Sequence, residues 1–73
     1  MKEKEIAKKI YTKIDMEIFE KKLTYKEVAE NIGTSNQNFS DQMNNLKKGK
    51  FITLRNLLKI QNFLEIKLIE FYI

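Results

Sequence analysis

Residues 2–22 carry an apolar side chain at every fourth position. The repeat consists of Ile6, Ile10, Ile14 and Ile18, and lysine or glutamate fills most of the places between them. Side chains four residues apart lie on one face of an α-helix. The pattern therefore predicts a first helix over residues 2–22, with Ala7, Tyr11 and Phe19 packing beside the isoleucine row.

A second, shorter helix is predicted by its capping residues. Thr24 and Glu27 stand three residues apart, which is the spacing of a capping box, in which each side chain accepts a hydrogen bond from the other's backbone N–H. The apolar face of this helix comprises Val28, Ala29 and Ile32. Gly33 is the expected end, because glycine readily adopts the left-handed conformation that ends many helices.

The next residues predict a third helix with two unlike faces. After Gly33, Thr34 and Ser35 offer a new N-cap. The apolar stripe comprises Phe39, Met43 and Leu46. The remaining positions are almost all amides and hydroxyls, which are poorer helix formers than the lysine, glutamate and alanine usual on a solvated face. Uncharged hydrogen-bonding side chains on an exposed helix are what the reading of base edges requires.

The second half of the chain predicts a basic loop, a fourth helix and an apolar tail. Lysines stand at 47, 48 and 50 of the loop, and Phe51 and Ile52 are expected to anchor it to the core. Thr53 is the expected cap of a helix over residues 54–64, whose many apolar positions predict that other helices largely surround it. Residues 66–73 are too apolar for a solvated tail. Either they pack back as a fifth helix that completes the core, or they form an interface.

Composition limits the classes of function. The chain has 73 residues, no cysteine and no histidine, so disulfides and the commonest zinc sites are excluded. The net charge of +4 favours an anionic partner. Without histidine or cysteine, and without a close carboxylate pair in an apolar setting, we expect no enzyme, cofactor, metal or small-molecule ligand. No apolar run reaches the length of a membrane span and no export signal is present, so the cytoplasm is the expected compartment.

The residues around Gly33 resemble the Cro/repressor-type helix-turn-helix proteins, the lambda-repressor-like or XRE family. The family pattern T-x-x-E-[LV]-A stands here as Thr24-Tyr25-Lys26-Glu27-Val28-Ala29, and its turn as Ile32-Gly33-Thr34-Ser35, followed by Phe39 and Ser40. The resemblance implies one all-α domain over residues 1–73, with five helices and a helix-turn-helix formed by helices 2 and 3. The chain departs from the pattern at Glu65, where glycine is usual, and at Lys67, where a serine or threonine usually caps the fifth helix.

The resemblance also implies which residues contact DNA. Helix 3 lies in the major groove in this family, and its early positions meet base edges. The expected base-reading residues are Asn36, Gln37, Ser40, Asp41 and Asn44. The expected phosphate contacts are Thr24, Tyr25, Lys26, Ser35, Asn38, Lys47, Lys48, Lys50 and Arg55. Arg55 adds an argument of its own, because a cation in the first turn of a helix opposes the helix dipole and suggests an outside anion.

Two of these residues leave alternatives open. Asp41 is repelled by phosphates unless it accepts a hydrogen bond from cytosine N4. The favoured alternative is that it points aside and pairs with a lysine such as Lys48. Tyr25 either reaches a phosphate through an exposed hydroxyl or is an ordinary surface tyrosine.

The function expected from this pattern is sequence-specific DNA binding by a transcriptional regulator, of the type of a phage or mobile-element repressor, acting at the nucleoid. One small domain makes few contacts, so a homodimer is expected on two half-sites. The apolar tail is the candidate interface, through Ile69, Phe71, Tyr72 and Ile73. The alternative function is a protein-binding adaptor of the same fold, antitoxin-like or anti-repressor, in which the amide-rich helix faces another protein. The net charge of +4 and the basic loop count against it.

Overall fold

The first helix follows the isoleucine repeat. The computed structural model describes the backbone of residues 2–72 and the side chains of residues 2–71. Helix α1 spans Lys2–Glu20, and Ala7, Ile10 and Ile14 on its inner face are fully buried. The expected packing of Phe19 is wrong, because its side chain is 82% exposed. Phe19 follows the buried Ile18 directly, which turns it about 100° around the helix from the core row.

The second helix begins and ends as its capping residues predict. Helix α2 spans Tyr25–Ile32. The Glu27 N–H donates to Thr24 Oγ1 at 3.1 Å, and the Thr24 N–H donates to Glu27 Oε1 at 2.9 Å, so the capping box is complete. Gly33 ends the helix with φ of 77°, in the left-handed region. The inner face of α2 is buried through Val28, Ala29 and Ile32.

The third helix follows after a short turn over residues 33–35. Helix α3 spans Asn36–Lys47, and Ser35 caps it by accepting the Asn38 N–H at 3.0 Å. The predicted stripe of Phe39, Met43 and Leu46 is buried. This stripe packs α3 against both α1 and α2, which leaves the amide and hydroxyl face exposed.

The fourth helix is half-covered. Helix α4 spans Leu54–Leu64, with Thr53 as its cap, and it packs on α2 and α1. The expectation that other helices largely surround it is wrong in part, since Leu54 and Leu58 are exposed. The expected anchor before it is also only partly confirmed, because Ile52 is buried whereas Phe51 is exposed.

The C-terminal segment differs from the expected fifth α-helix. A single 3₁₀ turn over Ile69–Tyr72 stands in its place. Gln61 provides the physical reason: its Oε1 accepts the N–H groups of Leu68 at 2.7 Å and Ile69 at 2.8 Å. A side chain from α4 thus satisfies two backbone donors at the start of this turn, where Lys67 offers no capping oxygen.

The tail nevertheless packs on the core. Leu68 is fully buried, and Ile66, Ile69 and Phe71 are half-buried against the core. For these side chains the structure supports core packing, which leaves Ile69 and Phe71 only partly available to a dimer interface. The Tyr72 side chain and Ile73, the other two expected interface residues, lie outside what is described.

Over residues 2–72 the chain has four α-helices, one 3₁₀ helix and no strand. The all-α class is therefore confirmed, and the count of five α-helices is wrong. None of these helices is long and apolar enough to cross a membrane.

Candidate functional site

A polar groove lies beside the exposed face of α3. It has a volume of about 310 Å³. The groove is lined by Tyr11 from α1, Tyr25 from α2, and Gln37, Ser40, Asp41, Met43, Asn44 and Lys47 from α3. Four of the five residues expected to read bases therefore line one concavity. The fifth, Asn36, is exposed at the start of α3 but does not line the groove.

Gln37 and Asp41 form a pair on this face. The Gln37 Nε2 donates to Asp41 Oδ1 at 2.9 Å, one helical turn away. The expected pairing of Asp41 with Lys48 is wrong: in the part of the chain that the structure describes, no lysine lies within ion-pairing distance of Asp41. The nearer amide on the same helix face takes the carboxylate instead, as Gln–Asp pairs at this spacing commonly do.

Tyr25 sits at the edge of the groove and is half-buried. Its ring meets the buried Phe39 ring edge to face, with centroids 5.0 Å apart. Burial, and to a smaller extent the neighbouring Tyr11 and Asp15, together raise the pKa of the Tyr25 hydroxyl to about 12. The hydroxyl therefore stays neutral at physiological pH, beside α1 rather than standing free in solvent. Phosphate contact by Tyr25 stays a prediction.

Tyr11 is a groove residue that the sequence pattern did not single out. Its position next to Ile10 assigned it to the flank of the core, and its half-buried ring does pack there. The groove exists only because α1 crosses beside α3. The available signal was chemical: a tyrosine at the edge of a core row commonly keeps its hydroxyl at a wet surface.

A basic cluster lies at the end of α3. Lys47, Lys48 and Lys50 are exposed, and Gly49 between them has φ of 93°. A Cβ at Gly49 would stand 2.8 Å from Lys4 Cγ, so the loop lies directly against the start of α1. This contact adds Lys4 to the basic cluster, which we define as Lys4, Lys47, Lys48 and Lys50. No local sequence signal connects residue 4 to residue 49.

The remaining predicted phosphate contacts lie at helix starts. Thr24, Lys26, Ser35, Asn38 and Arg55 are all exposed. Ser35 and Thr24 are confirmed as caps, and their side-chain oxygens accept the Asn38 and Glu27 N–H groups. The other free N–H groups of each first turn point outward from the helix end, where an anion is favoured.

No family model, curated protein or solved structure matches this chain. The resemblance to the Cro/repressor family consequently rests on the residues that carry the motif pattern, and a function has to be argued from the groove and its surroundings.

The groove is suited to hydrogen bonding with a partner surface whose donors and acceptors occur in a fixed order. Gln37 and Asn44 each offer an amide N–H₂ and a carbonyl, and Ser40 offers a hydroxyl that both donates and accepts. Among the lining residues, Lys47 carries a positive charge and Asp41 a negative charge. Such a surface discriminates partners by the order of their donors and acceptors.

A second, larger depression of about 410 Å³ runs along α1. Its lining residues all come from that one helix, and they include Lys8, Lys9 and Met16. A space bounded by one helix is an open strip between long side chains. It therefore lacks the convergent polar groups that the groove beside α3 provides.

Proposed function

We propose that this chain is a sequence-specific DNA-binding transcriptional regulator, a repressor of the helix-turn-helix type, which presents α3 to the major groove. One observation carries the proposal: apart from Asp41, the exposed face of α3 from Asn36 to Asn45 consists of uncharged hydrogen-bonding side chains, and the basic cluster lies at the end of this helix. Reading base edges needs the first feature, and holding the phosphate backbone needs the second.

The proposal divides the residues into two groups. The base-reading group consists of Gln37, Ser40 and Asn44, which line the polar groove of the protein. Asn36, at the start of α3, reads base edges with them. The basic cluster contacts phosphates, together with Thr24, Tyr25, Lys26, Ser35, Asn38 and Arg55. The turn at 33–35 fixes the angle between α2 and α3. In the proposed complex, α2 crosses the DNA backbone while α3 enters the major groove of the DNA.

A homodimer is part of the proposal. A domain of this size makes few base contacts, and a second copy on a second half-site raises specificity. Half-sites about one helical turn apart would let both copies use the same face of the DNA. A palindromic binding site would support this arrangement.

Selection from random duplex DNA followed by a salt series tests the proposal. The purified chain should enrich one sequence, and its affinity for that duplex should fall log-linearly with salt. Six cationic phosphate contacts per bound copy, namely the basic cluster with Lys26 and Arg55, predict a loss of about a thousandfold between about 50 and 200 mM salt, at about 0.9 logarithmic units of slope per contact. Binding that is absent at low salt and micromolar protein would contradict the proposal.

The alternative function, a protein-binding adaptor, has one observation in its favour. Met16 and Phe19 on α1 are both exposed, with 82% of the Phe19 side chain in solvent, and exposed apolar side chains suit a protein partner. The same selection separates the two functions. An adaptor would enrich no DNA sequence. Replacing its exposed α3 residues would leave its affinity for DNA unchanged.

A further inference from the structure

Asp41 is the one acidic residue among the groove residues, and the DNA-binding proposal by itself gives it no role. A carboxylate on a DNA-facing helix is repelled by the phosphates. Its observed partner is the Gln37 amide, with Nε2 at 2.9 Å from Oδ1, and both side chains are exposed. The use of Asp41 therefore has to be sought in what it does to Gln37.

A carboxylate fixes the orientation of an amide that it holds. An ionised carboxylate only accepts hydrogen bonds, so the nitrogen end of Gln37 must face it. With the amide reversed, the Gln37 carbonyl would face the carboxylate, and two acceptors repel one another. The bond thereby sets which end of Gln37 points along the helix and which points away.

The orientation leaves a defined pattern for a partner. Nε2 carries two hydrogens, so one bond to Asp41 leaves one N–H for a partner, and Oε1 of the same amide remains an acceptor. An adjacent donor and acceptor match adenine, whose major-groove edge presents the N7 acceptor and the N6 donor. A side chain already held in its bound orientation also loses less rotamer freedom when it binds.

We propose that Asp41 is a positioning residue that holds the Gln37 amide ready to read an adenine and that it contacts no base itself. This inference rests on the proposed function and deepens it, because it names the base at one position of the site. It also changes the role of Asp41, which was expected to read a base and is here assigned to positioning Gln37. Direct acceptance of cytosine N4 by Asp41 is the competing outcome of the test.

The test is a double-mutant cycle read as base preference. The variants are Gln37→Ala, Asp41→Ala, Asp41→Asn, and each Asp41 change combined with Gln37→Ala. Each is titrated against the duplex selected by the unaltered chain and against duplexes carrying every single base-pair substitution. Preference is the ratio of Kd values between a substituted and the selected duplex, and random-sequence duplex reports the affinity that depends on charge alone.

Positioning predicts a specific set of outcomes. Gln37→Ala removes the preference at one A·T pair, by about tenfold for a bidentate contact. Asp41→Ala lowers the preference at that same pair, and Asp41→Asn lowers it less, because asparagine keeps an acceptor of the same shape. Both Asp41 changes tighten binding to random-sequence duplex, since a negative charge is removed. In the Gln37→Ala background neither Asp41 change alters any preference.

Each other outcome overturns the inference. If Asp41→Ala weakens preference at a second base pair, in either background, Asp41 reads that base itself. If Asp41→Ala leaves preference at the Gln37 pair unchanged, the hydrogen bond does not position the amide. A chain that selects a site but shows either result refutes positioning alone, whereas a chain that binds no duplex refutes the proposed function as well. Circular dichroism melts verify folding, and we expect little change in the melting temperature because the Gln37–Asp41 pair is exposed.

Discussion

Tyr25 joins the core and the groove through a single side chain. Its ring packs edge to face on Phe39, and burial, with Tyr11 and Asp15 nearby, raises the pKa of its hydroxyl to about 12 from the ordinary 10.0. A raised pKa in an acid means that the folded state holds its proton more tightly than the unfolded state does. The resulting stabilisation is complete below pH 10.0 and is lost as the pH rises towards about 12.

We therefore expect one tyrosine to ionise late in the folded chain. Ultraviolet absorbance of tyrosinate should show a component near pH 12, which Tyr25→Phe removes. Thermal melts should also lose less stability between pH 10 and 12 in Tyr25→Phe than in the unaltered chain, because lysine titration is common to both proteins. A late component that persists in Tyr25→Phe would mean that Tyr25 is not the tyrosine held neutral by burial.

Glu65 is strained where it ends α4. Its φ of 57° lies in the left-handed region, which costs a residue with a Cβ about 1–2 kcal/mol. Glu65→Gly should raise the free energy of unfolding by about 0.5–1 kcal/mol, since glycine recovers the strain but gains freedom in the unfolded chain. Glu65→Ala is the matched control, because it removes the carboxylate and keeps the Cβ. Urea denaturation in which the two variants are equally stable would locate the effect in the charge instead.

Gln61 of α4 holds the start of the C-terminal 3₁₀ turn in place. Its Oε1 accepts both the Leu68 and Ile69 N–H groups, and Leu68 is fully buried. Gln61→Ala should lower the free energy of unfolding by about 1–3 kcal/mol, because two half-buried donors lose their acceptor. Amide hydrogen exchange at Leu68 and Ile69 should accelerate more than exchange in α1. Asn62→Ala is the control, as an exposed amide on the same helix, and an equal effect there would contradict the capping role of Gln61.

The same elements show what sequence reasoning can reach. The α2–α3 unit was predicted well because its signals are local: the Thr24–Glu27 box, Gly33 and the Ser35 cap each act within a few residues. The fifth α-helix was predicted wrongly because its replacement depends on Gln61, a residue of another helix. Phe19 was misplaced because a repeat of four identifies the centre of a helix face better than its edges.

The candidate site divides in the same way. Its α3 residues could be predicted, since they share one helix face. Tyr11 and Lys4 could not, because they reach the site only through the packing of α1 against α3 and of the start of α1 against Gly49. The spacing of four residues could have predicted the Gln37–Asp41 hydrogen bond. The negative charge of Asp41 favoured a lysine partner such as Lys48 instead.

For binding to DNA, the positions of the charged residues on the molecule matter more than the net charge. The net charge of +4 comes from 14 basic and 10 acidic residues, and many helical domains carry as much. In this chain, the contact between Lys4 and Gly49 brings lysines from both ends of the first fifty residues together at the end of α3. A phosphate backbone that follows α3 would meet the basic cluster as one surface.

This arrangement predicts that Lys4 behaves like a loop lysine in DNA binding. Lys48→Ala and Lys4→Ala should each weaken binding to every duplex alike and reduce the salt slope by about 0.9, the value for one lost phosphate contact. Lys59→Ala, an exposed lysine of α4 outside the basic cluster, should change neither quantity. Gln37→Ala should do the reverse, altering base preference at an unchanged slope. If Lys4→Ala matches Lys59→Ala instead of Lys48→Ala, the start of α1 does not contact the DNA, and Lys4 is not one of the phosphate contacts.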